Sequence, residues 1–101
     1  MLDLNPRYLD MLRVILAQYV PDMQVLAYGS RVNGQSHATS DLDLVVLNPD
    51  APTESNPAVS VLREALTESN LPISVDVLDW ARIPETFRIE IKKQCVVVWP
   101  K

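Results

Sequence analysis

The sequence predicts a small α/β (α+β) domain, a mixed β-sheet flanked by helices. Three observations carry that prediction. Four short apolar runs, MQVLAY (23–28), DLDLVVL (41–47), ISVDVL (73–78) and CVVVW (95–99), have strand length and are bounded by turn residues or proline. Between them lie segments whose apolar residues recur at helical spacing, so helices and strands alternate along the chain. The strand runs are nearly continuous in apolar residues rather than alternating, which is the pattern of strands covered on more than one side.

The elements follow in order. Asn5-Pro6 opens the first helix, with asparagine as N-cap and proline at the first helical position. Leu9, Leu12, Ile15, Leu16 and Tyr19 form its apolar stripe, and Pro21 stops it. The strand from Met23 to Tyr28 runs directly into Gly29, and Ser30 to about Gln35 has room for one or two helical turns. A second strand, Asp41 to Leu47, ends at Asn48-Pro49 and gives way to a polar loop over 48–56. Asn56-Pro57 repeats the helix-start signal, Val59, Leu62 and Leu66 supply one apolar face, and Pro72 follows. Ile73 to Leu78 is the third strand. The last helix, Pro84 to Gln94, carries Glu85 in its first turn and Lys92 and Lys93 in its last, as the helix dipole favours. Cys95 to Trp99 is the final strand, closed by Pro100.

Composition bounds the function. A chain of 101 residues is expected to form one domain, 1–101, with a single modest core. At 48% apolar and 22% charged residues it reads as a soluble globular protein. No apolar run approaches a membrane span, the N-terminus lacks the parts of a signal peptide, and the lone Cys95 allows no internal disulfide. A cytoplasmic location is expected. The net charge of −4 makes the chain a poor binder of nucleic acid or anionic membrane, since the phosphate term is repulsive. It suits a metal site and a basic protein partner.

The chemistry gathers between Tyr28 and Val46. Both glycines of the chain, Gly29 and Gly34, fall there, where unusual backbone geometry is expected. Asp41 and Asp43, two apart on a strand, point to the same side. Two such carboxylates repel unless a cation joins them, and oxygen ligands of this kind select magnesium or manganese. Taken alone, the pair reads as two ordinary, solvated aspartates at the exposed start of a strand. Asp76 shifts that balance, because it lies between two valines in a strand, where aspartate is disfavoured, and a neighbouring position would complete a trio. Asp79, at the strand end and on the other side, is the weaker candidate and reads as a cap for the residues after it.

Gly29-Ser30, at a strand-to-helix turn, suits close approach to phosphate oxygens, with a plain N-cap as the ordinary alternative. Arg31, the only cation between Arg13 and Arg63, is expected to pair with the same phosphates or to brace the acidic cluster. Ser40 joins this phosphate-binding set. The absence of GxGxxG and GK[ST] motifs disfavours a dinucleotide fold or P-loop, and Ser30 is not in a GxSxG elbow. One histidine, His37, and one cysteine are too few for a typical zinc site, so His37 reads as a loop residue.

Gly29-Ser30, ten residues, then Asp41-x-Asp43 resembles the signature of the polymerase β-like nucleotidyltransferase superfamily. With the Val75-Asp76-Val77 strand and the closing helix and CVVVW strand, the whole chain looks like the minimal nucleotidyltransferase (MNT) antitoxin family. The resemblance implies the polymerase β-like nucleotidyltransferase fold and a protein adenylyltransferase. Asp41, Asp43 and Asp76 would be catalytic and would hold two Mg²⁺ ions, and Gly29 and Ser30 would hold the distal phosphates of ATP. The implied partner is a helical HEPN-domain toxin, silenced by AMP on a tyrosine. Asn33 departs from the arginine many relatives have before the glycine corresponding to Gly34, and Gln94-Cys95 stands where relatives often have a glycine. A chain with no room for a second domain is expected to rely on its acceptor for recognition. A non-catalytic antitoxin that binds and covers the toxin, and transfer to another acceptor, are the competing readings.

Overall fold

The computed structural model describes residues 2–100. Helix α1 (Pro6–Tyr19) leads to strand β1 (Gln24–Tyr28), the short helix α2 (Ser30–Asn33) and strand β2 (Leu42–Leu47). Helix α3 (Ala58–Thr67), strand β3 (Val75–Asp79), a 3₁₀ turn (Trp80–Arg82), helix α4 (Glu85–Lys93) and strand β4 (Val96–Trp99) complete the order. The predicted alternation is therefore present, and the sheet is mixed. Its strands lie in the order β3-β2-β1-β4, with β1 antiparallel to β2 and β4, and β2 parallel to β3.

Local chemistry explains the starts. Asn5 caps α1, its Oδ1 accepting from the Arg7 N–H at 2.9 Å, with Pro6 at the first position. Asn56, just ahead of the α3 cap, acts similarly and accepts from the Ala58 N–H at 3.0 Å. Boundaries shift by a residue or two. β2 begins at Leu42 rather than Asp41, and β3 runs from Val75 to Asp79 rather than from Ile73 to Leu78. Asp41 thus lies just outside the sheet.

The inner strands β1 and β2 are buried on both sides, as their apolar runs require. On one face α1 and α3 cover Val25, Ala27, Leu42, Leu44, Val46 and Val77. The parallel pairing of β2 with β3 demands a crossover, and α3 supplies it on this face. On the other face α4 packs Ile91 against Leu26, Val45 and Trp80. Arg88 anchors it there: its Nε donates to the Trp80 carbonyl at 2.9 Å and its guanidinium stands 5.6 Å from the centre of the Trp80 ring. Among the described residues no helix is long and apolar enough to cross a membrane.

Candidate active site

The pairing register sets the site. Asp43 on β2 lies opposite Tyr28 on β1 and opposite Asp76 on β3, so the three form one row across neighbouring strands. Strand periodicity puts their side chains on the α4 side of the sheet, with Leu26, Val45 and Leu78 farther along the same face. Asp41, two residues before Asp43 and on the same side, extends the row beyond the strand end. Asp41 and Asp76 are exposed and Asp43 is half-buried. Of the three, only Asp43 is shielded, because Asp41 precedes the strand and Asp76 sits on an edge.

The electrostatics are those of crowded like charges. Burial, then Asp76, then Asp41 push the Asp43 carboxyl above the usual carboxylate range. Tyr28 is pushed up to about 12, first by burial and then by Asp43 and Asp76. Among the described residues no side chain donates a hydrogen bond to Asp41, Asp43 or Asp76. The two ion pairs found among them, Glu85–Arg88 and Glu90–Lys93, both lie on α4. Among the described residues no three carboxylate, histidine or cysteine groups stand close enough to hold a metal ion by themselves. The aspartates make a row. That arrangement fits magnesium, which keeps several waters and takes one or two carboxylates together with substrate phosphates.

Gly29 is required by this row. Its φ of 81° lies in the region that favours glycine, and a Cβ on it would collide with Asp43 Oδ2. The carboxylate can lie over the backbone only because no side chain is there. The Gly29 carbonyl accepts from the Val32 and Asn33 N–H groups at 3.0 Å each and so starts α2. Gly34 ends that helix in the left-handed conformation, its N–H donating to the Ser30 carbonyl. The Ser30 hydroxyl has no partner among the described residues and stands beside the row at the start of α2.

Arg31 and Ser40 both bond within the loop that leads to Asp41. Arg31 is 7% exposed, and its guanidinium donates to the carbonyls of Asp3, Ala38 and Ser40. Ser40 Oγ accepts from the His37 N–H at 2.9 Å, and His37 Nδ1 lies 3.0 Å from Thr39 Oγ1. Both residues thus make hydrogen bonds that shape the loop ahead of Asp41. His37 is the loop residue expected of it. Asp79 is a cap, accepting from the N–H groups of Ala81 at 3.1 Å and Asn56 at 2.7 Å on the opposite face.

Tyr28 and Phe87 lie beside the candidate site and were not singled out by sequence. Their rings meet edge to face at 5.6 Å, and both line a cavity of about 160 Å³ with Gly29, Asn33 and Gln94. Tyr28 could have been found, since strand alternation puts the residue before Gly29 on the side that Asp43 uses. A larger cavity of about 440 Å³, lined by Asn56, Arg63, Asp79 and Arg82, lies at the far end of β3 and holds none of the row.

A glycine-serine turn beside carboxylates on β2 and its edge neighbour β3 resembles the working surface of a nucleotidyltransferase palm. A family model described as the central palm domain of mitochondrial-like poly(A) RNA polymerase matches residues 2–97. The chain is also 44% identical over 100 residues to the probable protein adenylyltransferase MntA of Haemophilus influenzae, covering 99% of this chain and 86% of that one. A crystal structure of a toxin–antitoxin with AMP-PNP superposes with a TM-score of 0.69 at 27% identity, over 97% of this chain and 75% of that one. The Shewanella oneidensis MNT antitoxin in complex with tri-AMPylated HEPN toxin has the same fold, with a TM-score of 0.66 at 22% identity over 95% and 72% of the two chains. This chain belongs to the MntA family of minimal nucleotidyltransferases, within the polymerase β-like superfamily.

Proposed function

We propose that this chain is a magnesium-dependent protein adenylyltransferase and an antitoxin. It moves AMP from ATP to a hydroxyl, that of a tyrosine, on a cognate HEPN-domain toxin. The row of Asp43 and Asp76 with Asp41 beside it, lacking any cationic or donor side chain among the described residues, carries the reading. It is supported by the adenylyltransferase relative and by the relative solved with an ATP analogue.

Gly29 and Ser30 would receive the distal phosphates, and Asp41, Asp43 and Asp76 would hold two Mg²⁺ ions. Bound there, the ions would neutralise the triphosphate and acidify the acceptor hydroxyl. The acceptor oxygen forms its bond to the α-phosphorus as the bond to the β-phosphate oxygen breaks, and pyrophosphate leaves. Asp76, exposed on the edge strand, would bind the ion nearest the attacking hydroxyl or take the acceptor's proton on one of its oxygens. In this reading Gly29 and Ser30 meet the phosphates while Arg31 and Ser40 shape the loop ahead of Asp41. A cytoplasmic setting, with ATP and magnesium at hand, completes the proposal.

The test is intact-mass spectrometry of the toxin partner after incubation with the chain and Mg-ATP. An AMP-sized gain on the partner is expected, and none with the Asp41→Ala, Asp43→Ala double variant. Absence of that gain with the unmodified chain overturns the proposal. Neutralisation by the double variant without any mass gain would assign the chain to binding alone.

A further inference from the structure

The carboxylates of the row are not held alike. Asp43 and Asp76 are register partners within the parallel β2–β3 ladder, so hydrogen-bonded backbone fixes both. Asp41 precedes β2 and is exposed. Its backbone is pinned on one side by the sheet, through the Leu42 N–H donating to the Ser74 carbonyl at 2.9 Å. On the other side it follows Ser40, and what holds Ser40 is Arg31. The Ser40 carbonyl accepts from Arg31 Nε at 3.1 Å and from Nη2 at 2.9 Å. The same Nη2 reaches the Ala38 carbonyl at 3.5 Å, and Nη1 donates to the Asp3 carbonyl at 2.9 Å.

The clip extends further. The Asp3 N–H donates back to the Arg31 carbonyl at 2.6 Å, and the Ser36 hydroxyl donates to the Asp3 carboxylate. A guanidinium so buried, with no ion pair among the described residues, is expensive to desolvate, and backbone carbonyls alone offset that cost. Its planar fork meets several acceptors at once, which a lysine ammonium on a flexible stem cannot do.

We propose that Arg31 is a positioning residue for the metal site: it aligns Asp41 with Asp43 by clamping the 38–40 loop to the N-terminal segment at Asp3. The inference rests on reading the acidic row as a metal site. Outer partners that orient a metal ligand typically cost about 10–100-fold in affinity when removed, and Arg31 acts one peptide behind the ligand.

The test uses the full chain with Mn²⁺ alone, without nucleotide or partner, titrated by electron paramagnetic resonance. Circular dichroism checks the fold of each variant. Arg31→Lys is expected to weaken Mn²⁺ binding about tenfold. A loop variant, Ala38→Gly with Thr39→Gly at exposed positions, is expected to weaken it in the same direction, and it decides the matter if Arg31→Lys does not fold. In the transfer assay the KM for Mg²⁺ rises in these variants while the KM for ATP at saturating magnesium stays level. Unchanged Mn²⁺ binding in a folded variant overturns the inference, as does a rise confined to the KM for ATP, which would make Arg31 a phosphate ligand. Asp43→Asn separates the two readings. If it too binds Mn²⁺ like the unmodified chain, the metal site itself has failed; if it alone is weakened, only the clip has.

Discussion

On the α1/α3 side of the sheet, Val25, Ala27, Leu42, Leu44, Val46 and Val77 are almost wholly shut from water. On the α4 side the same strands carry Leu26, Val45 and Leu78 toward one end and Tyr28, Asp43 and Asp76 toward the other. One face is closed by two helices, and the other is only partly covered by α4. The difference shows how so short a chain houses chemistry: one face supplies most of the apolar burial that holds the fold, so the other can carry unpaired like charge. That charge has a cost without a cation, as the raised Asp43 carboxyl records.

The comparison can be broken most severely at Asp43. Asp43→Asn is expected to lower AMP transfer on the order of 10²–10³-fold, the scale on which primary electrostatic stabilisers act, while leaving the chain folded. Its metal-free stability at neutral pH should rise. The folded state holds the Asp43 proton more tightly than the unfolded chain does, so the group's contribution is present below the ordinary aspartate pKa. It is lost as pH rises through the raised folded value. Thermal melts of both proteins across acid to neutral pH should therefore converge in acid and separate above it. A variant less stable than its parent at pH 7 would show that the crowded charges cost nothing.

Leu44→Ala, on the opposite face one residue along, is expected to do the reverse. It should cost about 2–5 kcal/mol in denaturant unfolding, as buried leucine truncations do, with activity per folded molecule little changed. Equal losses of activity and stability would erase the division between the faces. Gly29→Ala should show both effects at smaller scale. The backbone conformation costs about 1–3 kcal/mol for a residue with a side chain, and the new methyl displaces Asp43 Oδ2, so transfer should fall more than stability. The smallest effect is spectroscopic. Tyr28→Phe should delete a tyrosinate step near pH 12 from the ultraviolet titration. Because the folded phenol holds its proton beyond the ordinary 10.0, its contribution to stability is lost as the pH climbs from there toward 12, and the variant lacks the loss.

Much of this is legible in the sequence alone. Asn5-Pro6 and Asn56-Pro57 mark two helix starts because capping is a short-range effect. The near-continuous apolar runs of β1 and β2 identify the inner strands, and the pairing of both glycines with the Gly-Ser and Asp-x-Asp spacing points to the candidate site. Less legible are residues whose roles depend on what lies across space. Arg31, a lone cation beside a phosphate-type turn, invites a phosphate assignment, yet the fold turns it toward the carbonyls of Asp3 and Ser40. Tyr28 looks like an ordinary strand residue until β2 brings Asp43 alongside it.

By itself the sequence determined the elements, the alternation of side chains along each strand and the kinds of ligand available, since these follow from local propensity and period. Only the tertiary structure decided that β3 lies beside β2 in the register that sets Asp76 against Asp43. It also decided that the Arg31 guanidinium meets the carbonyls of Asp3, Ala38 and Ser40. Strand order and the partners of a buried guanidinium are settled by packing among segments distant in the chain, and no local pattern encodes them.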